Sequence, residues 1–245
     1  AHILAIGAEQ PPYNRTREFS DFTREISRGL GYVFQTSGPA AILTGSGTAA
    51  MEVAVLNFLD DSDQVLVING GTFGQRWCDL CRVHAISHTE MKLDAGQDVD
   101  LDQLSDVLAG GRFTALLINA HETSTGQLYD IEAIGALARR HGLLFVVDAI
   151  SSICADEFKM DAWGVDVTIL SSQKALALPP GLSFVAMSTR AQARLRDIQP
   201  KSLYFNLQDY LINQERGQLP YTPAIGIFMQ LHQRLWDIKT RTLPQ

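Results

Sequence analysis

Short, unbroken apolar runs recur along the chain, and the stretches between them carry apolar residues at helical spacing. Gln64-Val-Leu-Val-Ile68, Thr114-Ala-Leu-Leu-Ile-Asn119, Leu143-Leu-Phe-Val-Val147, Val167-Thr-Ile-Leu170 and Leu182-Ser-Phe-Val-Ala-Met187 read as strands buried on both faces, with Ala41-Ile-Leu-Thr44 a shorter one. Residues 49–59, 75–81 and 131–141 read as helices, and in the last of these Ile131, Ile134, Leu137 and Ala138 fall on one face. Buried strands alternating with amphipathic helices predict an α/β fold, a mainly parallel sheet with helices on both sides. Internal repeats and low-complexity stretches are absent.

Open α/β folds bind ligands at the C-terminal edge of the sheet, and three strand ends here carry candidate chemistry. The apolar run ending at Val147 leads straight into Asp148, a position that suits a carboxylate facing a ligand and equally suits a helix cap or turn former. Lys174 leaves the strand-like Thr168-Ile-Leu-Ser-Ser172 and enters a loop rich in Gly and Pro. Partial desolvation there would favour the neutral amine and make it a nucleophile toward a carbonyl carbon, although a lysine after a strand is more often simply solvated. Gly45-Ser-Gly-Thr48 is a tight turn before a helix; its glycines admit close approach, and the helix start offers free N–H groups beside two hydroxyls, which suits a phosphate. No Gly-Lys-Ser/Thr follows, and the third glycine of the dinucleotide fingerprint is missing. Lysine, carboxylate and phosphate cup together match the needs of pyridoxal 5′-phosphate, whose aldehyde takes an amine as a Schiff base and whose ring nitrogen takes a carboxylate partner.

Composition agrees with a globular enzyme. Of 245 residues, 46% are hydrophobic and 19% charged, enough for one large core. No apolar stretch approaches the roughly 20 residues of a membrane span. A net charge of −7 without a compensating Lys/Arg cluster argues against nucleic acid as partner. Three cysteines and no visible signal peptide point to a reducing compartment, with the cytoplasm as the expected location.

Five segments in order, Thr44-Gly-Ser-Gly-Thr48, Gly71-Thr-Phe-Gly-Gln-Arg76, Glu122-Thr-Ser-Thr-Gly126, Val147-Asp-Ala-Ile-Ser-Ser152 and Ser171-Ser-Gln-Lys-Ala-Leu176, resemble the class V pyridoxal-phosphate-dependent aminotransferases of fold type I. The nearest group is the alanine–glyoxylate, serine–pyruvate and 2-aminoethylphosphonate–pyruvate enzymes, and the resemblance spans about residues 37–222. It implies a large domain with a seven-stranded, mainly parallel sheet. Activity in EC 2.6.1.- is implied, passing an amino group from alanine, serine or 2-aminoethylphosphonate to pyruvate or glyoxylate. Carried over, Lys174 would be the Schiff-base lysine and Asp148 the partner of the pyridine nitrogen. Ser46, Gly47 and Thr48 would hold the phosphate with Gln173 beside it. Phe73 would stack on the ring, Thr123 would stand near its phenolic oxygen, and Tyr221 and Thr222 would reach the phosphate of a neighbouring subunit. A homodimer with shared sites is therefore expected.

The resemblance divides the chain into an N-terminal arm and start of the large domain (1–35), the cofactor-binding large domain (36–225), and the start of a helix leading to an absent small C-terminal domain (226–245). The apolar-Gly-Pro opening common in the family is missing, and Arg241 lies too early for the arginine that binds substrate carboxylate. Two other readings stay open. A class V lyase of the cysteine-desulfurase kind would normally carry His where Gln173 stands. A non-catalytic pyridoxal-phosphate-binding protein is the second. Cys78 and Cys81 have redox or zinc spacing but fall in a helical stretch, which favours core packing. His84, His88 and His121 follow no metal-ligand spacing, His121 drawing attention because it precedes Glu122-Thr123. Arg15 and Arg17 are candidate anion contacts, with solvated side chains the commoner outcome.

Overall fold

Each of the six apolar runs forms a strand in the computed structural model, which describes residues 2–240. In chain order the elements are α1 (His2–Ile6), α2 (Arg17–Phe34), β1 (Ala40–Thr44), α3 (Gly47–Phe58), β2 (Gln64–Asn69), α4 (Thr72–Val83), β3 (Ser87–Lys92), α5 (Leu101–Gly110) and β4 (Ala115–Asn119). A two-residue pair follows, β5 (His121–Glu122) and β6 (Gln127–Leu128), then α6 (Ile131–Arg140), β7 (Leu144–Asp148), α7 (Met160–Trp163), β8 (Val167–Ser171) and β9 (Leu182–Met187). The chain continues through α8 (Thr189–Asp197), α9 (Leu207–Glu215) and α10 (Ile225–Thr240).

Seven strands form one sheet in the order β1-β9-β8-β7-β4-β2-β3. The five from β8 to β3 run parallel, and β9 runs antiparallel to both neighbours. Strands β4, β7, β8 and β9 are buried throughout, which is why they are continuous apolar runs rather than alternating ones. The seventh strand, β3, has no such signature: Ser87-His-Thr-Glu-Met-Lys92 lies at the sheet edge, largely exposed, and a polar edge discourages pairing with foreign strands. At the opposite edge, the Gln214 side chain accepts from Ile42 N at 3.1 Å and donates to Ala40 O at 2.9 Å, occupying backbone groups of β1.

Residues 2–34 form two helices, and α2 buries Phe19, Ile26, Leu30 and Phe34. It starts at Thr16, whose hydroxyl accepts from Phe19 N, and stops at Gln35 in the left-handed conformation. Its partner is α10: Phe19 stacks on Phe228 at 5.3 Å and Phe22 lies 4.3 Å from the His232 ring. The two ends of the described chain thus pack together, with His2 Nε2 at 3.0 Å from Asp237 Oδ2. Arg241, read from the sequence as too early to bind a substrate carboxylate, lies outside the described residues. No helix among those described is long and apolar enough to cross a membrane.

Candidate active site

Asp148 closes β7 in register with Asn119, which closes the neighbouring β4. Asn119 Nδ2 donates to Asp148 Oδ2 at 2.8 Å, and Ile150 N donates to Oδ1 at 2.9 Å. The carboxylate is only 5% exposed. Burial pushes its pKa up to about 6, against the pull of the Ile150 amide and the Arg76 guanidinium. A cation in the pocket would remove that penalty, so the site is arranged to receive positive charge at Asp148.

Lys174 follows β8 in a loop closed by Ser172, whose hydroxyl donates to Pro179 O at 2.7 Å and accepts from Leu182 N at 3.2 Å. Ala177 N returns to Lys174 O at 2.8 Å, with Ala177 itself left-handed at φ 52°. The lysine side chain is half-buried and borders the same cavity as Asp148.

The third wall is the start of α3. Ser46 is its N-cap residue yet makes no capping bond with its side chain, so the hydroxyl is free for a ligand along with the helix's first amides. Gly47 admits no side chain: an added Cβ would overlap Ile150 Cδ1 and lie 3.3 Å from Ser171 Oγ. Across the opening, Arg76 of α4 donates to Thr48 Oγ1 at 2.8 Å and sits 4.9 Å from the centroid of the Phe73 ring. Thr123 and Ser151 share a hydrogen bond of 2.7 Å.

These groups enclose a cavity of about 250 Å3 lined by Ser46, Gly47, Thr48, Phe73, Thr123, Asp148, Gln173 and Lys174, together with Met51, Arg76, Asn119, His121, Ile150 and Ser151. Eight of the ten residues expected from the sequence converge there. Tyr221 and Thr222 do not line it: the Tyr221 ring stacks on Tyr204 at 4.8 Å and its hydroxyl donates to Leu203 O at 2.7 Å, while Thr222 is exposed. Their segment is tied to the end of β1, where Ala224 N donates to Thr44 Oγ1 at 3.2 Å.

The sequence reading assigned no role to Arg76, Asn119, Ser151, Met51 or Ile150. Arg76 and Ser151 stand inside motifs already singled out, and Asn119 was legible as the polar residue ending a strand beside the one that ends in Asp148. Met51 and Ile150 carry no signal that separates them from core. His121 does face the cavity, and its Nδ1, like Asn119 Oδ1, is buried without a partner. His84 instead pairs with Glu52 at 3.0 Å, and the His88 ring meets Ile86 O at 3.2 Å. Arg15 is committed to Leu219 O and Gln218. Cys78 and Cys81 are fully buried in α4, and burial pushes their thiols up to about 11 and about 12, so neither offers a ready thiolate.

The donor set fits pyridoxal 5′-phosphate: free helix-start amides and hydroxyls for a phosphate, an aromatic ring, a buried carboxylate that calls for a cation, and an amine. The orphaned atoms of Asn119 and His121 are further evidence of a pocket shaped around a polar occupant.

The chain belongs to the class V aminotransferase family, whose family model (Aminotransferase class-V) matches residues 11–217. It is 34% identical to a soluble hydrogenase small subunit of Synechococcus sp. over 95% of this chain and 62% of that protein. With the serine–glyoxylate aminotransferase of Arabidopsis thaliana it shares 34% identity over 95% of this chain and 60% of the relative. Among solved structures, an alanine–glyoxylate aminotransferase from Nostoc sp. superposes with a TM-score of 0.92 at 31% identity, covering 99% of this chain and 65% of that one. The chain therefore spans about three fifths of the length of the relatives it matches. These likenesses bear out the α/β fold type I architecture expected from the motifs.

Proposed function

We propose that this chain is the catalytic large domain of a pyridoxal-phosphate-dependent aminotransferase, moving an amino group from alanine, serine or 2-aminoethylphosphonate to pyruvate or glyoxylate. The observation that carries the reading is the convergence of Lys174, Asp148 and the α3 start on one cavity. Glyoxylate is favoured as acceptor because the Arabidopsis and Nostoc relatives bear that substrate in their names. The pocket residues, rather than the hydrogenase name of the Synechococcus relative, guide the proposal.

In this reading Ser46, the Gly47 and Thr48 amides and Gln173 hold the phosphate, and Phe73 covers the ring face. Asp148 keeps the ring nitrogen protonated, held in place by Asn119 and the Ile150 amide. Thr123, steadied by Ser151, faces the phenolic oxygen. Lys174 would hold the cofactor through its amine, and its Nζ would be the base that takes the proton from the substrate Cα. When bound, the cofactor supplies the electron sink for the charge left at that carbon. Tyr221 and Thr222 lie outside the cavity of their own chain, which supports their assignment to a partner's site in a homodimer. The proposal includes a cytoplasmic location, supported by three free cysteines.

The test is spectroscopic. Protein loaded with the cofactor should absorb at about 410–430 nm through its lysine-bound form. L-Alanine should bleach this band and glyoxylate restore it. A band that persists with every amino acid would leave the non-catalytic reading, and sulfur release from L-cysteine without transamination would leave the desulfurase reading.

A further inference from the structure

Helix α4 brings Phe73 and Arg76 to the cavity, yet it has no cap of its own, because the residue before it is Gly71. Its first amides are taken up instead by residues some fifty positions downstream. Ser124 Oγ accepts from Thr72 N at 3.0 Å, Glu122 Oε1 from Phe73 N at 3.3 Å, and Glu122 Oε2 from Gly74 N at 2.9 Å. Ser124 then ties the pair together, donating its hydroxyl to Glu122 Oε1 at 2.6 Å and its amide to the same oxygen at 3.2 Å.

Glu122 is 1% exposed, and a buried carboxylate is costly unless donors surround it. Here the donors are the open end of a helix, where the macrodipole also favours negative charge. The backbone is shaped to bring the two together. A Cβ on Gly71 would overlap Ser124 Oγ and lie 2.9 Å from both Cγ and Cδ of Glu122, and one on Gly74 would lie 2.7 Å from Asn69 Cα. Gly71 is thus demanded by the approach of the cap, and Gly74 by the close passage of α4 over the end of β2.

We infer that Glu122 is a positioning residue of the pocket: its carboxylate, with Ser124, caps α4 from outside and fixes the first turn that aims the Phe73 ring and the Arg76 side chain. The inference rests on the pocket being a pyridoxal phosphate site. It assigns Glu122 no contact with substrate or cofactor. Its consequence is graded, because the free amides of the cup belong to α3 and α4 reaches them only through the Arg76–Thr48 hydrogen bond.

Pyridoxine 5′-phosphate, which has no aldehyde, reports ring and phosphate binding without bonding to Lys174, and inorganic phosphate reports the cup alone. Glu122→Ala should weaken pyridoxine 5′-phosphate by about tenfold, the scale of a lost cap, while inorganic phosphate changes by less than about threefold. Glu122→Gln, which keeps one acceptor oxygen, should fall between, as should the milder Ser124→Ala. Hydrogen exchange at the Thr72, Phe73 and Gly74 amides should quicken in Glu122→Ala without any ligand. Equal losses for both ligands, unchanged pyridoxine 5′-phosphate affinity, or unchanged exchange at those amides would each overturn the inference. Failure of the unmodified protein to bind pyridoxine 5′-phosphate would overturn the cofactor reading instead, and the exchange measurement still judges the cap.

Discussion

The crevice at the sheet's C-terminal edge and the seam between α2 and α10 are built from opposite materials. In the seam, Phe19, Phe22 and Phe228 pack ring against ring, and Phe228 is wholly buried. In the crevice, Asp148 is buried at a penalty, the Ser46 hydroxyl is left unused, and Asn119 Oδ1 and His121 Nδ1 are buried without partners. The seam is dominated by ring packing, although Gln230 Oε1 and Arg234 Nε of α10 are also buried without partners; the unmet groups of the crevice differ in lining a cavity that a ligand can enter. Changes in the seam should therefore cost folding and spare chemistry, and changes in the crevice should do the reverse.

The largest effect expected is that of Lys174→Ala. Loss of the one amine among the described residues lining the cavity should lower turnover by a factor on the order of 10^3 or more, while phosphate-anchored cofactor binding persists. Steady-state transamination beside equilibrium dialysis would check both, and unimpaired turnover would move the chemistry away from this crevice. Phe228→Ala should cost about 3–5 kcal/mol in unfolding free energy through the lost ring and the cavity it leaves. Urea titration reads that loss, and cofactor affinity of the folded fraction should stay unchanged. Asp148→Asn sharpens the contrast because the two regions should differ in sign. An acid whose pKa rises from 3.8 to about 6 on folding favours the folded state below its unfolded value, and this contribution is lost as pH climbs through about 6. The cofactor-free protein should thus forfeit roughly 2 kcal/mol between pH 4 and 7, and Asp148→Asn should recover much of it at neutral pH. The unpaired Asn119 Oδ1 can turn to accept from the new amide. Thermal melts of the cofactor-free forms across pH give the check, with transamination expected to fall as stability rises.

Much of this contrast was legible in the sequence because the buried parallel strands and the glycine turn leave local signatures. The strand ending in Asp148 and the run leading to Lys174 could be read without knowing their distance. What stayed hidden depends on long-range pairing. β3 is too polar to read as a strand, whereas α2, with Phe19, Ile26, Leu30 and Phe34 at helical spacing behind the Thr16 cap, carries a local signal and only its partner α10 is hidden. Asn119 acquires its role from the parallel register with Asp148, and Glu122 from a helix start 48 positions earlier in the chain. No periodicity reports such partnerships.

The Gln214 side chain bonded to Ile42 and Ala40 has a bearing on self-association. By mimicking a short piece of neighbouring peptide, one amide side chain closes the sheet margin that precedes the glycine turn, where an incoming chain could otherwise add itself and begin a fibril.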